Sequence, residues 1–286
     1  MIERAVFSYY NAEESFGNKT GFSSYKDFLV STALSVLLAS RHFKEVQFMS
    51  TDWGVRVFKA IGLPATEFSN KLNLMKDVSK FFWAYGKIVA YTEQIKPFVH
   101  VDNDVFMWEP LPERILNARL CFQSEEPFNL PGYCYYYWLK NASDGFPVRP
   151  KKITDNPVWD FAYNCGICGG NDLAFFKEWR KCSAEYIFAT ENHKSFFETF
   201  RDLLIHQNLY HEQYFAACLI KMHKMRDQVE VLHKDAMQIS KILKYTHLWG
   251  TTKIEGHIKG IHLRLHKEDP KLYGRIKDYC KAKRIQ

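Results

Sequence analysis

"FVHVDNDVFMWEP" occupies residues 98–110. With Pro97 it opens as a short apolar run, meets two acids, Asp102 and Asp104, and turns apolar and aromatic again. The hundred residues before it explain why that matters. "RAVFSYY" (4–10) reads as a strand, "KDFLVSTALSVLLASRH" (26–42) has helical spacing, and "VQFMST" (46–51) is a second strand. "WGVRVFKAI" (53–61) is helical and stops at Gly62; "DVSKFFWAYGKIVAYTE" (77–93) predicts a third helix with Asp77 as its N-cap. Strand–helix alternation of this kind implies an α/β fold, with a mostly parallel sheet flanked by helices. Ligands in such sheets bind beyond the carboxyl ends of the strands, so the strand at 97–101 delivers its acids to the rim of a crevice.

Two carboxylates two positions apart near a strand end can reach one divalent cation, directly or through water. Hard oxygen ligands suit Mg²⁺ or Mn²⁺, which keep open positions for substrate phosphates. The competing reading is a plain polar turn, since Asp and Asn are frequent turn formers. The apolar "VFMWEPLP" directly after the acids favours the first reading, because a surface turn needs no such segment. Lys80 and Lys87, about two turns apart on the expected 77–93 helix, could bring positive charge to a phosphate in the same crevice.

Composition narrows the classes. The chain has 286 residues, 47% apolar and 25% charged, which fits one large domain, or one domain with a smaller attachment. Aromatic residues reach 16%, and Tyr and Trp suit stacking on flat or ring-shaped ligands. Net charge is +7, and Lys, Arg and His gather in the last stretch, Lys253–Arg284. That tail suits either solvent or an anionic partner such as a membrane face or a phosphate. It carries no recognisable nucleic-acid module and few interleaved aromatics, so a nucleic-acid binder is excluded. Seven cysteines without a disulfide-like framework, an N-terminus without a signal-like stretch and no ~18-residue apolar run predict a cytoplasmic protein. The basic tail extends that expectation to peripheral contact at the inner face of a membrane. Residues 125–157, rich in Pro, Gly, Asn and Tyr, read as a functional loop or small insertion.

The stretch "VHVDNDVFMWEPL" resembles the metal-binding D-x-D segment of glycosyltransferases of the GT-A (Rossmann-like) fold. Two further stretches match in the same order. "FAYNCGICGGND" (161–172) is similar to the segment that lines the donor-sugar and acceptor pocket in those enzymes. "YTHLWGTTK" (245–253) resembles the H-x-x-G-x-x-K element of family-8-type retaining enzymes, the group of glycogenin and the lipooligosaccharide galactosyltransferases. The resemblance covers residues 4–253 and implies a GT-A-like catalytic domain over 1–253, followed by a helical, basic extension over 254–286. It implies that His247 joins Asp102 and Asp104 on the metal and that Gly250 and Lys253 lie on the donor diphosphate. After Lys253 the chain departs from the family's usual Pro-Trp, having Ile254 and Glu255.

The residue chemistry fits that assignment. A neutral imidazole is a better ligand for Mn²⁺ than for Mg²⁺, so Mn²⁺ is the first expectation and Mg²⁺ the second. Tyr9, with Tyr10 beside it, ends the first strand, where a uracil could stack; a plain strand-end aromatic is the alternative. Asn164 carries an amide suited to sugar hydroxyls, and Glu212 and Gln213 open an apolar helical run where related transferases face the sugar or the acceptor. The bland reading of Glu212 is an acid favoured in a helix's first turn. Cys165 and Cys168 form a C-x-x-C with no partner pair, so they read as small residues in a glycine-rich segment that lets a ligand approach the backbone.

The function expected is metal-dependent transfer of a sugar from a nucleoside-diphosphate sugar, UDP-linked, to a glycan or lipid-linked hydroxyl acceptor, as in surface polysaccharide synthesis. The cation and Lys253, with Lys80 or Lys87, would neutralise charge developing on the leaving diphosphate. Retention, as in family-8-type enzymes, needs no dedicated base; inversion would call on Glu212 or Asp172. The alternatives are a metal-dependent phosphohydrolase or nucleotidyltransferase, and a non-catalytic sugar-nucleotide-binding protein on the same fold.

Overall fold

A computed structural model describes residues 1–17, 19–128, 150–158, 160–191, 207–234, 244–248, 253 and 255–285. Most of the 125–157 segment and Gly250 lie outside the described residues. Seven strands form one sheet in the order β3-β2-β1-β4-β7-β6-β8, and a separate two-stranded sheet pairs β5 with β9. The strands are β1 (Arg4–Tyr9), β2 (Glu45–Ser50), β3 (Glu67–Ser69), β4 (Phe98–Val101), β5 (Val105–Met107), β6 (Leu120–Pro127), β7 (Phe161–Gly170), β8 (Val229–His233) and β9 (Tyr245–His247). β1–β2, β2–β3 and β6–β8 are parallel, and β6–β7 is antiparallel. This is the mixed α/β architecture, mostly parallel and flanked by helices, that the alternation of the first hundred residues implied.

The chain divides into two compact units, one of Met1–Ile2, Asp77–Val99 and Pro112–Ala236, the other of Glu3–Lys76, His100–Leu111 and Met237–Gln286. The second contains β1–β3, α1 (Tyr25–Ala39) and α2 (Asp52–Ala60). Ser24 caps α1 by accepting from the Asp27 amide, and Thr51 caps α2 through the Gly54 amide. α1 is buried on almost every side, as its long apolar run requires. Two helices near the C-terminus, α8 (Glu255–Glu268) and α9 (Pro270–Lys283), belong to this unit and pack on α1. Each buries a narrow stripe (Ile258, Ile261 and Leu265; Leu272, Ile276 and Cys280) and leaves its Lys and Arg residues outward. Arg264 lies over the Trp108 ring and Arg275 donates to the Ile61 carbonyl.

The first unit contains α3 (Tyr85–Thr92), α4 (Glu113–Leu116), α5 (Lys151–Thr154), α6 (Leu173–Glu191), a π-turn at Tyr210–Tyr214 and α7 (Phe215–Met222). One expectation needs correction here. The helix predicted over 77–93 is a 3₁₀ turn, Lys80–Phe82, followed by α3, and Ser79 rather than Asp77 caps that turn. The cause is Asn208, whose side-chain oxygen accepts from the Ala84 amide while its nitrogen donates to the Phe81 carbonyl. Those two groups are thereby withdrawn from a continuous helical ladder. Lys80 and Lys87 therefore do not share a helix face.

All ten residues of β7 are buried, as a strand covered on both faces must be. Two of its glycines, Gly169 and Gly170, are required by the packing of the sheet itself. A Cβ on Gly169 would stand 2.1 Å from the Phe98 carbonyl oxygen and 2.8 Å from Val99 Cα, so only glycine lets the β4 backbone approach there. Cys165 and Cys168 are free thiols in the same strand, and burial pushes Cys165 well above the ordinary thiol range. Gly169→Ala is expected to destabilise the fold by several kcal/mol, on the order of the largest point-mutant effects, because rigid backbone cannot yield as a side chain can. Urea unfolding measures this; a midpoint within error of the parent would refute it.

Candidate metal centre

The acids sit where β4 hands over to β5. Val105 N–H donates to the Asp102 carbonyl at 3.1 Å, closing a turn over Asp102–Val105. Two elements hold that turn, α1 through buried hydroxyls and β1 through a backbone carbonyl. Ser31 of α1 donates to the Asn103 carbonyl at 2.9 Å, and Ser35, one helical turn later, donates to the Asp102 and Val105 carbonyls. Asn103 Nδ2 donates to the Ser8 carbonyl of β1 at 2.8 Å, and Ser8 Oγ meets His100 Nε2 at 2.8 Å. The loop backbone is thus tied down without using either acid's side chain.

β5 and β9 pair antiparallel with Val105 opposite His247. Leu248 N–H donates to the Asp104 carbonyl and Trp108 N–H to the Lys244 carbonyl, and Trp108 Nε1 donates to Thr246 Oγ1. This register carries His247 beside the acids: one ligand atom each from Asp102, Asp104 and His247 lie within 4.8 Å of one another. His247 Nε2 is 3.4 Å from Asp104 Oδ1, and Lys253 Nζ is 2.9 Å from Asp104 Oδ2. Burial opposes ionisation of Asp104, but the Lys253 ammonium and the His247 ring outweigh it and hold the carboxyl well below the usual carboxylate range. Burial, with the nearby Asp102 and Asp104 charges, pushes the Tyr245 phenol up. Two carboxylate oxygens and one imidazole nitrogen in this spacing fit a single divalent cation with room for further ligands.

The other candidates fall in different places. Lys87 Nζ lies 2.5 Å from Glu212 Oε1 and donates to the Cys165 carbonyl at 3.3 Å. Asn164 Nδ2 donates to Glu126 Oε1 at 2.5 Å and its Oδ1 accepts from the Gly166 amide. Glu212 and Gln213 lie in the π-turn, both buried. The Lys87–Glu212 and Asn164–Glu126 pairs thus lie inside the first unit, while Asp102, Asp104, His247 and Lys253 gather inside the second. Tyr9 joins neither: its ring is buried against Phe28, with centroids 4.6 Å apart, and Phe58. Lys80 stands over the Phe81 ring. Ser8, Ser31, Ser35 and the seat of Lys253 at Thr20–Phe22 are parts of the centre that the motifs do not reveal. The serines did leave a signal, since hydroxyls four residues apart in the apolar run "FLVSTALSVLLA" need buried partners.

His211, next to Glu212, is fully buried among Phe82, Tyr85 and Tyr186, and among the described residues neither ring nitrogen has a hydrogen-bond partner. Burial lowers its pKa from 6.5 to about 3. A base whose folded pKa is depressed contributes stability that is intact above its unfolded pKa. That stability falls as pH drops from about 6.5 toward 3, by up to ~1.4 kcal/mol per pH unit. His211→Phe is expected to flatten the acid limb by about one proton while its backbone carbonyl keeps its bonds from Trp179 Nε1 and Ser183 Oγ. Urea unfolding between pH 4 and 7.5 is the measurement, and an unchanged slope would show that His211 is not neutral in the fold.

Among the described residues no helix is long and apolar enough to cross a membrane. No curated protein matches the chain in sequence. Similar solved structures include mouse xyloside xylosyltransferase 1 in its apo form, 15% identical over 89% of this chain and 100% of that one, with a TM-score of 0.43. Another is the glycosyltransferase GlyE of Streptococcus pneumoniae, 10% identical over 100% of this chain and 64% of that one, with a TM-score of 0.43. A third is the galactosyltransferase LgtC in complex with donor and acceptor sugar analogues, 13% identical over 90% of this chain and 94% of that one, with a TM-score of 0.42. A model for a family of unknown function matches residues 4–279.

Proposed function

The chain belongs to that family, DUF6734, and we propose that this member is a divalent-metal-dependent glycosyltransferase whose donor is a nucleoside-diphosphate sugar, UDP-linked. One observation carries the reading: Asp102, Asp104 and His247 converge within 4.8 Å, with Lys253 on the same carboxylate. That is the set of residues the glycosyltransferase resemblance required. A bound Mn²⁺ or Mg²⁺ would supply a fixed charge against the donor diphosphate. The chain's own part is to keep Asp104 ionised, to fix both acids through the Ser8, Ser31 and Ser35 bonds, and to present the Lys253 ammonium beside them. That ammonium suits the charge that accumulates on a leaving diphosphate. The acceptor is a glycan or lipid-linked hydroxyl.

A phosphohydrolase or nucleotidyltransferase with two metals would need acids around a second ion. Among the described residues one group able to hold a metal is found, with a single pair of carboxylates, which favours sugar transfer. Calorimetric titration of UDP with and without Mn²⁺ tests the proposal, followed by a panel of UDP-sugars read for free UDP. Binding that needs Mn²⁺, with release of UDP and not of inorganic phosphate, is the expected result. Metal-independent binding, or none, would remove the reading.

A further inference from the structure

Lys253 does more than stand near Asp104. Its Nζ donates to the Thr20 carbonyl at 2.8 Å, pairs with Asp104 Oδ2 at 2.9 Å and lies 4.5 Å from the centroid of the Phe22 ring. The side chain is 11% exposed, so this is a built seat and not a surface excursion. The seat has a backbone signature. Thr20 and Gly21 both adopt positive φ, +48° and +82°. A β-branched residue in that region is strained, and such strain persists only where the surroundings enforce it. The conformation aims the Thr20 carbonyl at the ammonium, and the positive φ at position 21 is one that glycine adopts freely. Residues 20–22 thus supply a carbonyl dipole and an aromatic face, the two neutral groups that best hold a cation.

The same ammonium takes one of the two oxygens of a proposed metal ligand. A cation held by Asp102, Asp104 and His247 would lie beside Nζ, and two positive charges would compete for one carboxylate. We infer that Lys253 is an internal placeholder for the metal's charge, seated by Thr20, Gly21 and Phe22, and that the cation and the seated lysine are alternative partners of Asp104. Divalent metal binds weakly while the lysine stays seated. A nucleoside diphosphate draws the ammonium onto its own oxygens, frees Asp104 and raises metal affinity. Metal, in turn, raises affinity for the diphosphate by the same factor, as linkage demands. The turn at 20–22 is a positioning element in this scheme, acting through Lys253. The inference rests on the proposed donor chemistry but makes a separate claim.

The test uses Mn²⁺ alone, followed by water-proton relaxation or calorimetry on the whole chain, and then Mn²⁺ with saturating UDP. In Lys253→Met, Mn²⁺ without nucleotide should bind tighter by on the order of tenfold, and the gain that UDP brings to Mn²⁺ affinity should shrink by about the same factor, leaving the part that the metal's own attraction for the diphosphate supplies, a change within the usual range of coupling. Phe22→Leu, which loosens the seat and keeps the charge, should move both quantities the same way by less. Mn²⁺ binding that is unchanged or weaker in Lys253→Met, with the parent still binding Mn²⁺ and UDP together, would overturn the placeholder and leave the proposed function standing. If parent and variant alike bind no Mn²⁺, both fall together.

Discussion

Asp104→Ala is expected to abolish Mn²⁺-supported UDP binding and to lower sugar transfer by about 10³-fold, the scale of losing one preorganised electrostatic group at a reacting charge. Three consequences of the geometry converge on this residue. Its side chain is 15% exposed yet held ionised by Lys253 and His247. Its carbonyl accepts the Leu248 amide, a bond that survives the substitution, so His247 stays in place. Alanine therefore leaves two ligands where three stood, and a lysine still on Thr20 with no carboxylate. Ser35→Ala makes the graded comparison: it unties the loop carbonyls and should cost ~10–100-fold, the range for groups that orient ligands. Calorimetry gives the binding and initial UDP-release rates give the turnover. An Asp104→Ala protein that binds UDP with Mn²⁺ within threefold of the parent would remove this residue from the metal.

The second large effect is on stability. Lys87→Met is expected to destabilise the protein by ~3–5 kcal/mol, because it removes the ammonium paired with a buried carboxylate. Glu212 is 1% exposed and Lys87 11%, and the same ammonium also satisfies the Cys165 carbonyl. Met matches the lysine's length but offers nothing to either oxygen. The denaturation midpoint should fall by about 10 °C. Adding Glu212→Gln should restore much of the loss, since a neutral amide tolerates burial far better than a carboxylate that has lost its ammonium. The pair also tests the sugar-facing role proposed for Glu212. The double variant, once stable, should keep parental Mn²⁺ affinity and lose turnover if Glu212 faces substrate. Full parental turnover would make it a structural counter-ion, and a single variant as stable as the parent would show that the pair is not buried.

The sequence and the structure meet most closely where physics is local. β1, α1, β2, α2 and β4 lie within one to three residues of the stretches that periodicity picks out, because long apolar runs with caps and breaks leave little choice. The Asp-Asn-Asp turn was legible for the same reason: acids directly after a buried strand can sit only at its end. The 77–93 segment failed because its ladder is interrupted by Asn208, more than a hundred positions away, and no local preference reports that. β5 and β9 have three residues each, too few to show alternation, so their pairing is invisible without the fold. His247 could be named by likeness of motif, yet the reason it arrives beside Asp104 is the register Val105↔His247. The seat of Lys253 was hidden altogether, since "TGF" looks like any turn and only the positive φ of Thr20 exposes its purpose.

The small β5–β9 ladder has a consequence for how the centre can be altered. Side chains alternate across a strand, so a slip of one position would turn His247 away and bring Thr246 or Leu248 in its place. With three residues per strand, few bonds oppose that slip, and the Trp108–Thr246 bond is the lock on its far end. The segments 105–108 and 244–248 therefore behave as two halves of one tool. A chimera that exchanges one without the other would keep Asp102, Asp104 and His247 in its sequence and lose the register that brings them together, whereas exchanging both would preserve that register.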